Sequence, residues 1–154
     1  MTFTIEELAI PASIDEPGGA DFARSIEVGN AVYTESYGTD ELNYEPAEEL
    51  PHYRDAFSPH RLLVARVEGE IVGRGIFESL VDDDADVAWL NVEVLPAFRG
   101  RGIGRALADG IEEITRGEGR TKAICYLGVR DAEGERLPSD RKSTRLNSSH
   151  HVVS

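Results

Sequence analysis

The sequence predicts an α/β chain of the α+β type, in which one mixed sheet carries helices on its faces. Two observations predict this fold class. Three β-rich runs follow one another across short polar turns between residues 61 and 95, which is typical of an antiparallel meander. An amphipathic helix then leads into a further strand, which is typical of a parallel crossover. The predicted order of elements is β-α-α-β-β-β-α-β.

The N-terminal part begins with a strand and a helix. Residues 2–10 alternate loosely between polar and apolar side chains and predict a strand that Pro11 ends. A Pro-Gly-Gly turn then starts a helix, and Gly38 closes it. The apolar side chains on one face of this helix are Phe22, Ile26 and Tyr33.

A shorter helix and the meander come next. The helix is predicted over residues 47–57, where Pro51 divides it or marks its first turn. The three strands read RLLVARV, IVGRGIFESLV and VAWLNVEVL, with a Glu-Gly-Glu turn after the first and an Asp-rich turn at 82–86 after the second. Pro96 ends the third strand.

The crossover helix has apolar residues at spacings of 4, 4 and 3. These residues are Ile103, Leu107, Ile111 and Ile114. The helix stops at a Gly-Glu-Gly turn over 117–119, and the strand KAICYLGV follows at 122–129.

Composition describes one globular domain with an acidic surface. A chain of 154 residues, 40% of them hydrophobic and 29% charged, is long enough to bury a core. Its formal net charge of −13 argues against nucleic-acid binding, which requires a basic face. No stretch approaches the roughly 20 apolar residues of a membrane span, and no signal peptide is recognisable. We expect a cytoplasmic protein with a neutral or cationic partner, and neither nucleic acid nor membrane as a partner.

The residue types that bind metals form no recognisable site. One cysteine, Cys125, stands on an apolar strand, where it is expected in the core, and no CxxC or HExxH spacing occurs. His52 and His60 have no serine elbow or cysteine partner in the sequence, and they are expected on the surface. The sequence therefore predicts no metal.

The last fifteen residues differ in character from the rest. The segment 140–150, DRKSTRLNSSH, is rich in Ser and Arg and has no hydrophobic period. Read back through the genetic code, it resembles a sequencing-library adapter translated in frame. The expected domain is therefore 1–139, incomplete at its C-terminus, and 140–154 is expected to be a non-native, disordered tail. An ordinary disordered tail is the alternative.

A glycine-rich stretch, RGRGIGR, joins the third strand of the meander to the crossover helix. Its glycines are Gly100, Gly102 and Gly104. A helix start leaves about four N–H groups without partners and attracts phosphate, and glycine lets the backbone approach an anion closely. The dinucleotide fingerprint fails because Arg105 and Leu107 stand where it needs glycine, and the P-loop fails because no Gly-Lys pair occurs.

The spacing Arg/Gln-x-x-Gly-x-Gly/Ala is matched at 99–104, directly after a strand that ends Val-Leu-Pro. This spacing resembles the acetyl-CoA loop of the GNAT family of N-acetyltransferases, and the element order resembles that family over residues 3 to about 130. The resemblance implies transfer of an acetyl group from acetyl-CoA to a primary amine by direct attack in a ternary complex. The implied partner is a small-molecule or peptide amine, and a homodimer stays open.

The resemblance also implies which residues bind the cofactor. They are Val94, Arg99, Gly100, Arg101, Gly102, Ile103, Gly104 and Arg105. The amides from 99 to 105 would hold the pyrophosphate, and the arginine side chains would add charge at its rim. The main chain of Val94 would contact the acetyl-pantetheine end, where the strand at 87–95 splays from the strand at 122–129.

Acetyl transfer to an amine needs a base and a polarised thioester carbonyl. Alternation in the third strand of the meander places Trp89, Asn91 and Glu93 on one face, unless a bulge changes the facing. Glu93 is the candidate base, acting directly or through water, and Asn91 is the second catalytic candidate. The alternative is that Glu93 only pairs with an arginine across the sheet.

The C-terminal elements that the resemblance implies are missing. No tyrosine follows Tyr126, so the usual general acid of the family is absent. The closing strands are absent too, and the strand at 122–129 is expected to be an unpaired, aggregation-prone edge. We expect poor solubility and little or no turnover from this chain.

Two alternatives to an enzyme remain open. One is a non-catalytic acyl-CoA-binding module, perhaps one half of a tandem protein, and the other is a binder of a different nucleotide. The acidic stretch between Arg24 and Arg54 favours a cationic acceptor, or else is only a solvated face.

Overall fold

The computed structural model describes residues 2–79, 87–126 and 148–152, and over these residues the chain forms six strands, three α-helices and one 3-10 turn. The strands are β1 (Thr4–Leu8), β2 (His60–Val67), β3 (Glu70–Glu78), β4 (Val87–Val94), β5 (Lys122–Tyr126) and β6 (Ser148–Val152). The helices are α1 (Gly19–Tyr37), α2 (Pro46–Tyr53) and α3 (Ile103–Gly117), and the 3-10 turn spans Pro96–Phe98. Up to β5 this order confirms the predicted one. The Asp-rich turn at 82–86 lies outside the described residues.

The strands form one sheet in the order β1-β2-β3-β4-β5-β6. Neighbouring strands run antiparallel from β1 to β4, which confirms the meander. Strand β5 runs parallel to β4, so α3 makes the predicted crossover between them. The mixed sheet is therefore confirmed as well.

The far edge of the sheet differs from the expectation. Strand β6 pairs antiparallel with β5 along its length, from Lys122↔Val152 to Tyr126↔Ser148. The prediction that the strand beginning at 122 would be an unpaired edge is therefore wrong for β5. An open edge presents a row of free N–H and C=O groups that any extended segment can pair with, and this pairing does not depend on apolar side chains. That is why a polar stretch without hydrophobic period could not be recognised as a strand.

The two faces of the sheet carry separate cores. The core under α3 contains Leu63, Ala65, Val67, Val72, Phe77, Ala88, Leu90, Val94, Ile103, Leu107, Ile111 and Ala123. The core under α1 and α2 contains Phe22, Ile26, Val28, Leu50, Tyr53, Leu62, Val64 and Ile71. The period-two alternation of the strands supplies one set to each face, and each fully buried Leu, Ile or Phe contributes about 1.5–3 kcal/mol.

The helix ends follow glycine and proline. Left-handed glycines bound α1, with φ of 88° at Gly18 and 75° at Gly38. Helix α2 begins at Pro46, in the first turn, where proline is favoured. It ends at Tyr53 and is therefore shorter than the predicted 47–57. Pro51 lies inside α2, so it neither divides two helices nor marks the first turn.

Candidate functional site

The glycine-rich loop presents a row of free backbone amides. Gly100 and Gly102 adopt φ of 78° and 87°, in the left-handed region that favours glycine, and α3 begins directly afterwards without a side-chain cap. Within the described residues, the N–H groups of Gly100 and of residues 102–105 donate no hydrogen bond. These amides lie at the positive end of the α3 dipole, an arrangement that binds anions.

A cavity of about 420 Å³ opens onto this loop. Its walls are Val32, Val92, Glu93, Val94, Arg99, Gly100, Gly102, Gly104 and Arg105. A Cβ on Gly100 or Gly102 would meet nothing within 4 Å, and one on Gly104 would only touch Val94 Cγ2 at 3.7 Å. Packing within the described residues therefore does not demand three bare positions, whereas close approach of a ligand would.

Six of the eight predicted cofactor residues line this cavity, and two do not. Ile103 is 1% exposed and belongs to the core under α3. Arg101 stacks its guanidinium over the ring of Phe98, 5.7 Å from the centroid. The structure thus brings the glycines, Val94, Arg99 and Arg105 together.

Arg99 ties the loop to the rest of the fold. Its Nε donates to the Val94 carbonyl at 2.9 Å, and its Nη1 and Nη2 each lie 2.8 Å from a carboxylate oxygen of Glu35 on α1. A fork held in this way fixes the loop against both β4 and α1. Arg105 remains exposed at the start of α3 and is the better placed of the two to face an anion.

Strand β4 extends past its described ladder with β5 next to the cavity. The parallel ladder runs, among the described residues, to the pair Leu90↔Cys125. The remaining residues of β4, from Asn91 to Val94, lie beyond that pair. On this side of β4 the resemblance implies a contact between the main chain of Val94 and the cofactor.

Glu93 forms a buried ion pair across the sheet. Arg74 Nε donates to Glu93 Oε1 at 2.7 Å, and both side chains are 5% exposed. Arg74 Nη1 also donates to the Tyr53 hydroxyl at 3.2 Å. The alternative that the sequence leaves open for Glu93, pairing with an arginine, is therefore what the structure shows. The β3–β4 register runs without a shift from Gly73↔Val94 to Glu78↔Trp89, so the alternation is confirmed and no bulge changes it.

A second cavity, of about 320 Å³, lies on the α1 and α2 side of the sheet. Its walls are Ile26, Tyr33, Tyr44, Glu49, His52, Tyr53, His60, Arg74, Ile76, Glu78, Trp89, Leu90 and Asn91. Asn91 lines this cavity and Glu93 lines the first one, two residues apart on β4. Along β4 the lining changes from the second cavity at Asn91 to the first cavity at Val92, so the two catalytic candidates lie on either side of this change.

His60 is a residue of this cavity that sequence reasoning placed wrongly. Its side chain is 9% exposed, so the expected surface position is incorrect. The ring packs 4.7 Å from the ring of Tyr53, and Nδ1 lies 2.6 Å from the Ser58 carbonyl. Period-two alternation could have found it, because His60 shares its face with the buried Leu62 and Val64.

Tyr33, which is half-buried in the second cavity, should titrate late. Burial and the nearby Glu93 charge raise the pKa of Tyr33 from 10.0 to about 12. Because its pKa is higher in the folded state, Tyr33 contributes to the free energy of unfolding. This contribution is fully present below pH 10 and is lost as the pH rises through about 12. Titration of the tyrosinate absorbance should show a late step that Tyr33→Phe makes smaller but does not remove, because burial also raises the pKa of Tyr53. A late step of unchanged size in Tyr33→Phe would contradict this.

The described part of the chain contains neither a metal-binding cluster nor a helix that could span a membrane. No group of three His, Cys, Asp or Glu residues there could hold a metal ion. None of the helices described has the length and apolar character that crossing a bilayer requires.

Comparison with known proteins gives a family and a fold. Residues 30–136 match the model of the Acetyltransferase (GNAT) family. A GNAT family acetyltransferase from Brucella melitensis, solved with acetyl-CoA, is 20% identical at a TM-score of 0.61, over 99% of this chain and 89% of that one. The PaiA N-acetyltransferase from Thermoplasma acidophilum, solved with coenzyme A, is 16% identical at a TM-score of 0.54, over 82% and 80%.

A third similar structure is longer than this chain. It is a tandem GNAT protein from the clavulanic acid biosynthesis pathway, 19% identical at a TM-score of 0.59, and the match covers 93% of this chain but 43% of that one. Curated proteins include no match. The family model covers well over half of the sequence and the architecture agrees with it, so this chain belongs to the GNAT acetyltransferase family.

Proposed function

We propose that this protein is an N-acetyltransferase that takes its acetyl group from acetyl-CoA and passes it to a primary amine. The observation that carries the proposal is the set of free amides at Gly100 and residues 102–105, which opens on a cavity lined by the C-terminal end of β4. A pyrophosphate supplies the acceptor oxygens that these amides lack, and the bare glycines leave room for it.

The residues present fit acetyl-CoA in this position. The amides of Gly100 and residues 102–105 and the exposed Arg105 would hold the pyrophosphate, and the main chain of β4 near Val94 would bond the pantetheine arm. The cofactor would supply an activated acetyl thioester. Arg99 acts on the protein side, where it keeps the loop in place through Val94 and Glu35.

On the acceptor side, Asn91 lines the second cavity and Glu93 lines the first. Asn91 can hydrogen-bond an incoming amine and orient it. We retain Glu93 as the base, acting directly or through water. Its pairing with Arg74 opposes that role, because a proton on Glu93 would leave a buried guanidinium without its counter-charge.

That same ion pair favours a second candidate function, a non-catalytic acyl-CoA-binding module. In such a module Arg74 and Glu93 would serve the fold alone. Comparison of Glu93→Gln with its parent separates the two when both carry the C-terminal elements that the resemblance implies. Loss of turnover with acetyl-CoA binding retained supports the enzyme, whereas the absence of turnover in both proteins supports the module.

Thermal unfolding with ligands tests the proposed cofactor. A ligand that binds only the folded state at a hundredfold excess over its Kd adds about 2.7 kcal/mol, which raises the Tm by several degrees. We expect this rise with acetyl-CoA, and neither with NAD nor with ATP. Gly104→Leu should abolish the rise, because its side chain would extend into the cavity that Gly104 lines.

Gly104→Ala is the matched control. Its Cβ meets Val94 at ordinary contact distance, so the acetyl-CoA rise should persist. The free energy of unfolding should increase by up to about 1 kcal/mol, since alanine favours a helix more than glycine does. A rise of equal size in the leucine variant would mean that the cofactor binds elsewhere.

A further inference from the structure

We propose that the second cavity, on the α1 and α2 side of the sheet, binds the cationic end of an acceptor, and that the acceptor is an aliphatic diamine. Acetylation of its other end rests on the proposed function. The binding itself does not, since it depends only on the walls of this cavity.

The first reason is the charge of the cavity walls. Glu49 and Glu78 both line the cavity. The one guanidinium in its lining, that of Arg74, is neutralised by Glu93 at 2.7 Å. The described lining therefore carries uncompensated negative charge, which attracts a cation.

The two carboxylates are available in different degrees. The carboxylate of Glu49 makes no hydrogen bond or ion pair within the described residues, and the residue is only partly exposed. Glu78 Oε2 accepts a hydrogen bond from the Ser58 hydroxyl at 2.6 Å, and Oε1 lies 3.7 Å from His60 Nε2. Because Nδ1 of His60 faces the Ser58 carbonyl, which can only accept, Nδ1 carries the proton and Nε2 does not need to donate to Glu78. One oxygen of Glu78 thus remains free for a ligand.

The second reason is the aromatic lining. Four aromatic side chains contribute to the walls, namely Tyr33, Tyr44, Tyr53 and Trp89. An ammonium group is attracted to the face of an aromatic ring, most strongly to tryptophan, and an aliphatic chain packs well against such surfaces. Carboxylates together with aromatic faces suit an alkylammonium and disfavour an anionic group.

The third reason is the spacing along the sheet. Asn91 pairs with Ile76, and Trp89 pairs with Glu78, so Glu78 is the diagonal neighbour of Asn91. Diagonal neighbours on one face of an antiparallel pair lie about 7–8 Å apart. An aliphatic diamine with a chain of about four or five carbons spans this separation. One amine can then lie at Asn91, beside the first cavity, while the other meets Glu78.

Calorimetric titration of the complete chain tests the proposal without any need for turnover. The probes are 1,4-diaminobutane and 1-aminobutane, which share a carbon chain and differ in the second ammonium group. We expect the diamine to bind about tenfold more tightly, as one partly exposed ion pair and cation–π contacts allow. Glu78→Gln should reduce this ratio to about one.

Two further variants make the result specific. Glu49→Gln removes no hydrogen bond or ion pair within the described residues, and it should weaken the binding of the diamine several-fold. Glu48→Gln should leave the affinity for the diamine unchanged, because Glu48 is exposed on α2 and does not line the cavity. Equal affinity for the two amines, or tighter binding of 4-aminobutanoate than of the diamine, would overturn the inference. The acetyl-CoA thermal shift is measured separately, so failure of the cofactor proposal would be recognised as a different result.

Discussion

Replacing Gly29 by alanine is expected to lower the free energy of unfolding by about 3–5 kcal/mol, the cost of disrupting a buried ion pair. Gly29 is buried in the middle of α1, and a Cβ there would stand 2.1 Å from Arg74 Nη2 and 2.5 Å from Arg74 Cζ. The guanidinium has little freedom to yield, because Glu93 and Tyr53 hold it from inside the core. Either the ion pair must break or α1 must move away from the sheet.

Chemical denaturation of the variant measures this loss. Gly117→Ala is the matched control, since Gly117 is also helical and a Cβ there would meet nothing within 4 Å. The control should be unchanged or more stable by up to about 1 kcal/mol. Equal stabilities for both variants would show that α1 does not pack on Arg74 as described.

Replacing Glu93 by alanine is expected to lower the free energy of unfolding by a similar amount, about 3–5 kcal/mol. The substitution leaves the Arg74 charge buried, with the Tyr53 hydroxyl as its one hydrogen-bond partner among the described residues. Arg74→Met should lower the free energy of unfolding by a comparable amount, because Glu93 would then be the unpaired buried charge. The double variant Arg74→Met with Glu93→Leu should recover most of the stability, since no buried charge remains. A double variant whose loss is the sum of the two single losses would contradict the coupling.

This double-variant cycle also separates chemistry from folding at Glu93. A single Glu93 variant can lose acetyl transfer simply because its core is disturbed. If the stable double variant acetylates an amine at the wild-type rate, Glu93 is not the base and serves the fold. If it binds acetyl-CoA but transfers nothing, the carboxylate takes part in the reaction.

The backbone conformation of the glycine-rich loop could be predicted because its physical requirement is local. A left-handed backbone at Gly100 and Gly102 and a bare first turn at Gly104 are needed within a few residues of a helix start. Spacing along the chain records such a requirement directly. The roles of individual side chains were less predictable. Arg99 is the clearest case, since its partner Glu35 lies on α1, far away in the sequence.

Hydrophobic periodicity in the chain was sufficient to predict the order of its elements, the meander, the crossover helix and the facing of β4. Each of these follows from contacts that repeat every two residues in a strand or every three to four residues in a helix. Only the folded arrangement could decide what Glu93 pairs with, that His60 is enclosed, that β4 lines two cavities, and that β6 covers the edge of β5. Each of these depends on residues that are distant in sequence and meet only when helices pack on the sheet or a strand adds to its edge. Patterns within one segment contain no information about which distant residue becomes the neighbour.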